Sequence, residues 1–257
     1  MAEKKPIVVV GSINMDLVAS TARIPAEGET VTGHQFQVIP GGKGANQAVA
    51  AARLGYPVNM VGRVGDDAFG LQLKAKLKDA GVDVSAVATG SGASGVALVV
   101  VSDTGSNLIV VVPGANGLVT PEDIDANIDK IRAAGMVLTQ LEIPMNTVLH
   151  LAGVCEREGI PLMLDPAPAR DLPPGLLARV TWLTPNETEA AFYASPAAES
   201  QPIADSAATA QQLVGMGASN VVLKLGSRGA YVVASSEPRT LVPSFQVKAI
   251  DTTAAGD

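Results

Sequence analysis

Met136-Val-Leu-Thr-Gln-Leu141 is an apolar run, Asn146 to Glu158 has the length and composition of a helix, and Pro161-Leu-Met-Leu164 is apolar again. Strand, helix and strand in under 30 residues make a crossover unit, which places its two strands parallel in one sheet. The alternation continues downstream through 181–184, 187–193, 204–216, 220–225 and 229–235. Upstream it runs through Pro6–Val10, an alanine-rich helix over 44–54, a strand at 58–64 and an amphipathic helix at 68–80 stopped by Gly81. Thr120-Pro121-Glu122-Asp123 reads as a helix start with proline in the first turn. These segments predict an α/β fold: a mainly parallel sheet with helices on both faces.

Two regions do not fit that layer. Residues 12–20 and 30–39 read as strands, and so do 95–102 and 107–112, which flank the hairpin signal Asp103-Thr-Gly-Ser106. They are assigned to a small sheet projecting from a single α/β domain that spans 1–257, with this lid formed by about 12–39 and 95–112. An apolar run from Phe245 to Ile250 predicts one more strand near the end of the chain.

Composition narrows the function classes. The chain has 257 residues, 47% of them hydrophobic, enough for one substantial core. A net charge of −7 argues against a nucleic-acid partner or an anionic membrane surface. The apolar run Ile7–Val10 is too short for a signal peptide, and no 18-residue apolar span exists, so a cytoplasmic protein is expected. One cysteine, Cys155, and two distant histidines, His34 and His150, leave neither a disulfide nor a zinc cluster.

Several stretches carry candidate chemistry, each with a plainer alternative. Asp251-Thr-Thr-Ala-Ala-Gly-Asp257 follows the predicted strand and should turn tightly. Its small residues would leave backbone N–H groups open to an anion beside a carboxylate able to take a hydroxyl proton; alternatively Asp257 is a helix cap. Asn14 and Asp16 share one face of a strand and would suit two hydroxyls, or solvent. Gly41-Gly42-Lys43-Gly44-Ala45-Asn46 offers bare backbone, a cation and an amide at a helix start, or simply a glycine-rich turn. Glu142 ends a strand and would hold a hydroxyl or cap a helix. Asn186-Glu-Thr-Glu189 is a capping box by spacing. In Lys224-Leu-Gly226-Ser-Arg-Gly229 the glycines allow close backbone approach and Lys224 or Arg228 would balance phosphate charge, unless the segment is only a tight hairpin turn. Gly90-Ser-Gly92-Ala-Ser-Gly95 matches a dinucleotide fingerprint literally, but a strand-like run follows it, so the match is taken as chance.

Together, Asp251–Asp257 and Gly41–Asn46 resemble the two signatures of the ribokinase family, the PfkB-type carbohydrate kinases, and they occur in the same order. The similarity runs over the whole chain and is close at 41–55, 165–170, 184–189 and 251–257. The resemblance implies a three-layer α/β/α fold with a β lid and ATP-dependent phosphorylation of D-ribose at its 5-hydroxyl. It implies Asp257 as general base and Asn14, Asp16, Gly42, Lys43, Asn46 and Glu142 around the sugar. Asn186, Lys224, Gly226 and Gly229 would serve the nucleotide, although Lys224 stands where the family commonly has threonine. Ala254, Ala255 and Gly256 would form the anion hole, and Glu189 would reach Mg²⁺ through water. Asp251 and Thr253 would contribute to a monovalent-cation (K⁺) site whose other ligands are expected beyond residue 257, as for a chain truncated at its C-terminus. A homodimer through the lids is the implied assembly. Three alternatives stay open: a related kinase acting on deoxyribose, a hexose or a nucleoside; a nicotinamide-dependent oxidoreductase; and an inactive nucleotide- or sugar-binding module.

Overall fold

A computed structural model of the protein describes residues 4–194, 205–235, 237–247 and 256–257. Its strands are β1 (Ile7–Val10), β2 (Asn14–Thr21), β3 (Gly33–Gly41), β4 (Val58–Gly65), β5 (Val82–Asp83), β6 (Val87–Gly90), β7 (Gly95–Ser102), β8 (Asn107–Val112), β9 (Met136–Thr139), β10 (Leu162–Leu164), β11 (Trp182–Leu183), β12 (Asn220–Lys224), β13 (Ala230–Ala234) and β14 (Glu237–Val242). Its helices are α1 (Lys43–Arg53), α2 (Ala68–Asp79), α3 (Pro121–Asp125), α4 (Ile128–Ala133), α5 (Met145–Glu158), α6 (Glu187–Ala194) and α7 (Ser206–Gly215).

The main sheet has the order β14-β13-β12-β11-β10-β9-β1-β4-β5, with β6 also paired to β4. From β12 to β5 its neighbours are parallel, and β13 and β14 add an antiparallel edge. The central strand reads Ile-Val-Val-Val without alternation because both its faces are covered. Val8 and Val10 pack with Ile124, Ile131, Leu151, Leu213 and their neighbours on one side. Val9 packs with Ala45, Ala48, Leu73 and Leu77 on the other. Those two clusters make the three layers. Helix α5 shows why such a segment is a helix: Val148, Leu151, Ala152 and Cys155 recur on its buried face, and Gly159 ends it with a left-handed φ of 67°. Cys155 lies inside this core, where burial pushes its thiol up to about 12.

The second sheet has the order β3-β2-β7-β8 and is the projecting lid expected from the sequence. Strand β2 runs parallel to β7 along its full length, from Asn14 opposite Gly95 to Thr21 opposite Ser102. Only Gly11, Ser12 and Ile13 separate β1 from β2, so the chain passes directly from one sheet into the other. Much of the lid is uncovered: every residue of β8 is exposed, and Phe36 of β3 is 65% exposed.

Two details differ from the sequence-based expectations, and a third agrees with them. Residues 245–247 form no strand, the remainder of that expected strand lies outside the described residues, and the edge strand is instead Glu237–Val242. The short strands β5 and β6 were not foreseen; two to four residues carry too little periodicity. Strand β7, not a helix, follows Gly90–Gly95, as a chance motif match requires. Among the described residues no helix is long and apolar enough to cross a membrane.

Candidate active site

Glu142 follows β9, Asp165 follows β10, Asn186 follows β11, and Lys224 closes β12. All lie beyond the carboxyl ends of parallel strands, where ligands of open α/β sheets bind. The glycine-rich motif joins them because β3 returns to the main body at Gly41 and α1 starts two residues later. Packing there forbids larger residues. A Cβ on Gly42, whose φ is +92°, would stand 2.7 Å from the Asn14 nitrogen, and one on Gly44 would stand 2.7 Å from that of Ser12.

Helix α1 grips the far end of the chain. Lys43 Nζ lies 3.1 Å from Asp257 Oδ1, and Asn46 Nδ2 donates to Asp257 Oδ2 at 2.7 Å. Residues at i and i+3 of one helix thus hold both oxygens of one carboxylate, which is 11% exposed. Burial opposes the charge on Lys43, but Asp257, Asp165 and Glu142 outweigh it and raise its pKa.

Of the two sequence alternatives for Glu142, the structure shows the helix cap, with a further bond inside the protein. It accepts the backbone N–H of Lys43 at 3.3 Å, capping α1, and it receives the Ser12 hydroxyl. Ser12, which sequence reasoning passed over, also accepts from Gly44 N at 3.3 Å. Asp16 stands near Glu142 and Asp257, and its carboxyl is raised from 3.8 to about 6, first by burial and then by those two charges. Asp16, Glu142 and Asp257 thus gather carboxylate oxygens that suit a ligand rich in hydroxyl donors.

Asn14 sits where β2, β3 and β7 meet, opposite both Gly41 and Gly95. Its Oδ1 accepts from Asn116 Nδ2 at 2.7 Å. Asn116 is 1% exposed and also bonds both backbone groups of Ile13, at 2.9 and 3.1 Å. Asn116 was missed in the sequence because nothing local links it to Asn14, 102 residues away.

The segment Asn186–Glu189 forms the capping box its spacing predicts. Glu189 N donates to Asn186 Oδ1 at 2.8 Å, and Asn186 N and Nδ2 donate to Glu189 at 2.8 and 2.9 Å. Burial raises the Glu189 carboxyl, against the backbone N–H of Asn186. Both its oxygens are occupied, and no group of three acidic, histidine or cysteine side chains among the described residues would hold a metal. These residues do not form a protein cage for Mg²⁺. A cation here would depend on phosphate oxygens and water.

The loop after β12 is the tight turn of the β12–β13 hairpin, with Lys224 opposite Ala230. Gly229, at φ +95°, is required because a Cβ would stand 2.0 Å from the Val242 carbonyl oxygen. Arg228 pairs with Glu187. Lys224 donates to Asp165 Oδ1 at 3.0 Å and to the Gly256 carbonyl at 2.6 Å. Asp251, Thr253, Ala254 and Ala255 lie outside the described residues.

Known proteins resemble this chain along nearly its whole length. The model of the pfkB family of carbohydrate kinases matches residues 4–257. A ribokinase of Bacillus subtilis is 42% identical over 253 residues, covering 98% of this chain and 82% of that protein. A deoxyribokinase of Salmonella typhi is 36% identical over 253 residues, with the same coverage of 98% and 82%. The structure of Arabidopsis thaliana ribokinase complexed with ribose and ATP superposes with a TM-score of 0.86 at 33% identity, covering 98% of this chain and 82% of that one.

Proposed function

The chain belongs to the pfkB family of carbohydrate kinases, and from that premise we propose that it transfers the γ-phosphoryl group of ATP to the 5-hydroxyl of D-ribose, with Asp257 as general base. The observation that carries this is the carboxylate of Asp257, fixed between Lys43 and Asn46 at 3.1 and 2.7 Å and near enough to Asp16 for its charge to be felt there, as that of Glu142 is. A base held at both oxygens loses little freedom when a hydroxyl arrives, and its position beside the sugar-binding candidates suits in-line attack.

In this scheme Asn14, Asp16 and Glu142 orient the pentose, Gly42 lets it approach the backbone, and Asp257 removes the proton from its primary alcohol. Lys43 holds the base in place and offsets the negative charge that gathers there. The N–H groups of 254–257 would receive the transferring phosphoryl group, and Asn186, Gly226 and Gly229 would line the nucleotide's path. Mg²⁺, carried on the phosphates and reached by Glu189 through water, would neutralise phosphate charge. A K⁺ bound near Asp251 and Thr253 would complete the set. The four-stranded sheet would close over the sugar and exclude water. Its bare apolar strands, Leu108 to Val112 among them, would meet those of a second copy.

Asp257→Asn keeps the size of the side chain but not its basicity, and leaves one oxygen to accept where the carboxylate has two. It should lower kcat by at least about 10²-fold with sugar affinity nearly unchanged, measured by coupled ADP release and by calorimetry. Near-normal turnover would remove Asp257 from the reaction. The similarity to a deoxyribokinase makes 2-deoxyribose the second acceptor to test. Parallel kcat/KM values for ribose and 2-deoxyribose decide between them, a lower value for ribose overturning the choice made here.

A further inference from the structure

Asp165 belongs to a stretch with no chemistry assigned to it, yet its side chain is 1% exposed and lies at the centre of a buried polar chain. Gln140 Nε2 donates to Gln47 Oε1 at 2.6 Å, which orients the Gln47 amide so that its Nε2 donates to Asp165 Oδ2 at 3.4 Å. Lys224 Nζ meets the other carboxylate oxygen at 3.0 Å and reaches on to the Gly256 carbonyl at 2.6 Å. Gln47 lies one turn beyond Lys43 on α1. The same helix therefore holds Asp257 directly, through Lys43 and Asn46, and the preceding peptide indirectly, through Gln47, Asp165 and Lys224.

We propose that Lys224 is a positioning residue: it fixes the Gly256 carbonyl, and with it the Gly256–Asp257 peptide, using Asp165 as its buried counter-charge. A trans peptide is planar, so its C=O and N–H point in opposite directions. Drawing the carbonyl towards Lys224 aims the Asp257 N–H the other way and sets the start of the side chain that bears the base. With one oxygen of Asp165 and one carbonyl bound, two of the three ammonium N–H groups already serve the protein itself, which makes positioning the first role of Lys224. Burial pushes the Asp165 carboxyl upward while Lys224 and Lys43 pull it back, consistent with a charge that needs its partner.

The inference rests on the kinase assignment, and the experiment separates the two. Lys224→Met in the full polypeptide, assayed with ribose and ATP, should lower kcat about tenfold or more while leaving KM for ribose and Kd for ATP within about threefold. Its thermal midpoint should also fall, because Asp165 is left buried without its partner. The double variant D165N/K224M should regain the midpoint but not kcat, since the Gly256 carbonyl still lacks its donor. That double variant decides the matter by the same three measurements if Lys224→Met does not fold. An unchanged kcat with a Kd for ATP raised tenfold or more would make Lys224 a phosphate ligand and overturn the inference. Recovery of kcat in the double variant would overturn it too. A parent protein that turns over no sugar at all would instead remove the kinase assignment, and with it the base to be positioned.

Discussion

The two sheets of this protein are built on opposite terms. In the main sheet β1 has helices on both faces, and Val8, Val9 and Val10 have no exposed surface at all. In the lid, β8 is exposed from end to end, although Leu-Ile-Val-Val-Val is as apolar as β1. Equal hydrophobicity with unequal burial shows that the sequence of a strand fixes its appetite for cover, while its place in the fold decides whether cover is supplied. One sheet is covered on both faces; the other leaves a row of apolar side chains open to solvent.

The contrast can be tested directly, beginning where the effect is greatest. Leu151→Ala, in the core beneath β1, should cost about 2–5 kcal/mol of folding stability in denaturant titration, whereas Ile109→Ser on β8 should stay within about 0.5 kcal/mol. Equal losses would mean that the lid is already part of the core.

Asp16, at the foot of the lid, should trade stability for binding. Its carboxyl is raised from 3.8 to about 6, mainly by burial, so between those values the folded protein holds a proton that the unfolded chain has released. Stability from this group therefore falls as pH rises through that window, and the penalty is complete above it. Asp16→Asn should melt higher than the parent at pH 8, with the difference vanishing below pH about 4. The same variant should bind sugar poorly, and the parent's sugar affinity should weaken as pH falls through about 6. A melting difference independent of pH would show that Asp16 is not strained by burial.

The smallest effect on the monomer is expected at the lid surface. Ile109→Lys should leave the melting curve almost unchanged but abolish self-association in sedimentation at micromolar concentration. A parent protein that sediments only as a monomer would count against pairing of the lids.

What the sequence disclosed follows the same division. Local grammar was legible: the Asp103–Ser106 hairpin, the proline-led start at Thr120 and the box at Asn186–Glu189 depend on residues within four positions of each other. Partnerships across the chain were not. Nothing near Asn116 announces Asn14, and nothing near Lys224 announces Asp165, 59 residues earlier. The resemblance implied a nucleotide role for Lys224 from its place in the loop, although the family commonly has threonine there. Its observed bonds to Asp165 and to the Gly256 carbonyl come from strand order, which brings β10 and β12 to either side of β11. Likewise β14 was overlooked because Glu-Pro-Arg-Thr-Leu-Val lacks a clear alternation and owes its strand to pairing with β13.

The three residues between β1 and β2, together with the single residue Gly42 between β3 and α1, make the root of the lid very short. A sheet hung from such brief tethers would, if it tilted, pivot close to Asn14 and Gly42. Eight residues of strand span about 26 Å, so a tilt of about 10° would carry the tip near Thr104 through about 4–5 Å while shifting Asn14 by only a fraction of an ångström. Large travel at the rim is thereby compatible with an almost stationary grip at the pivot.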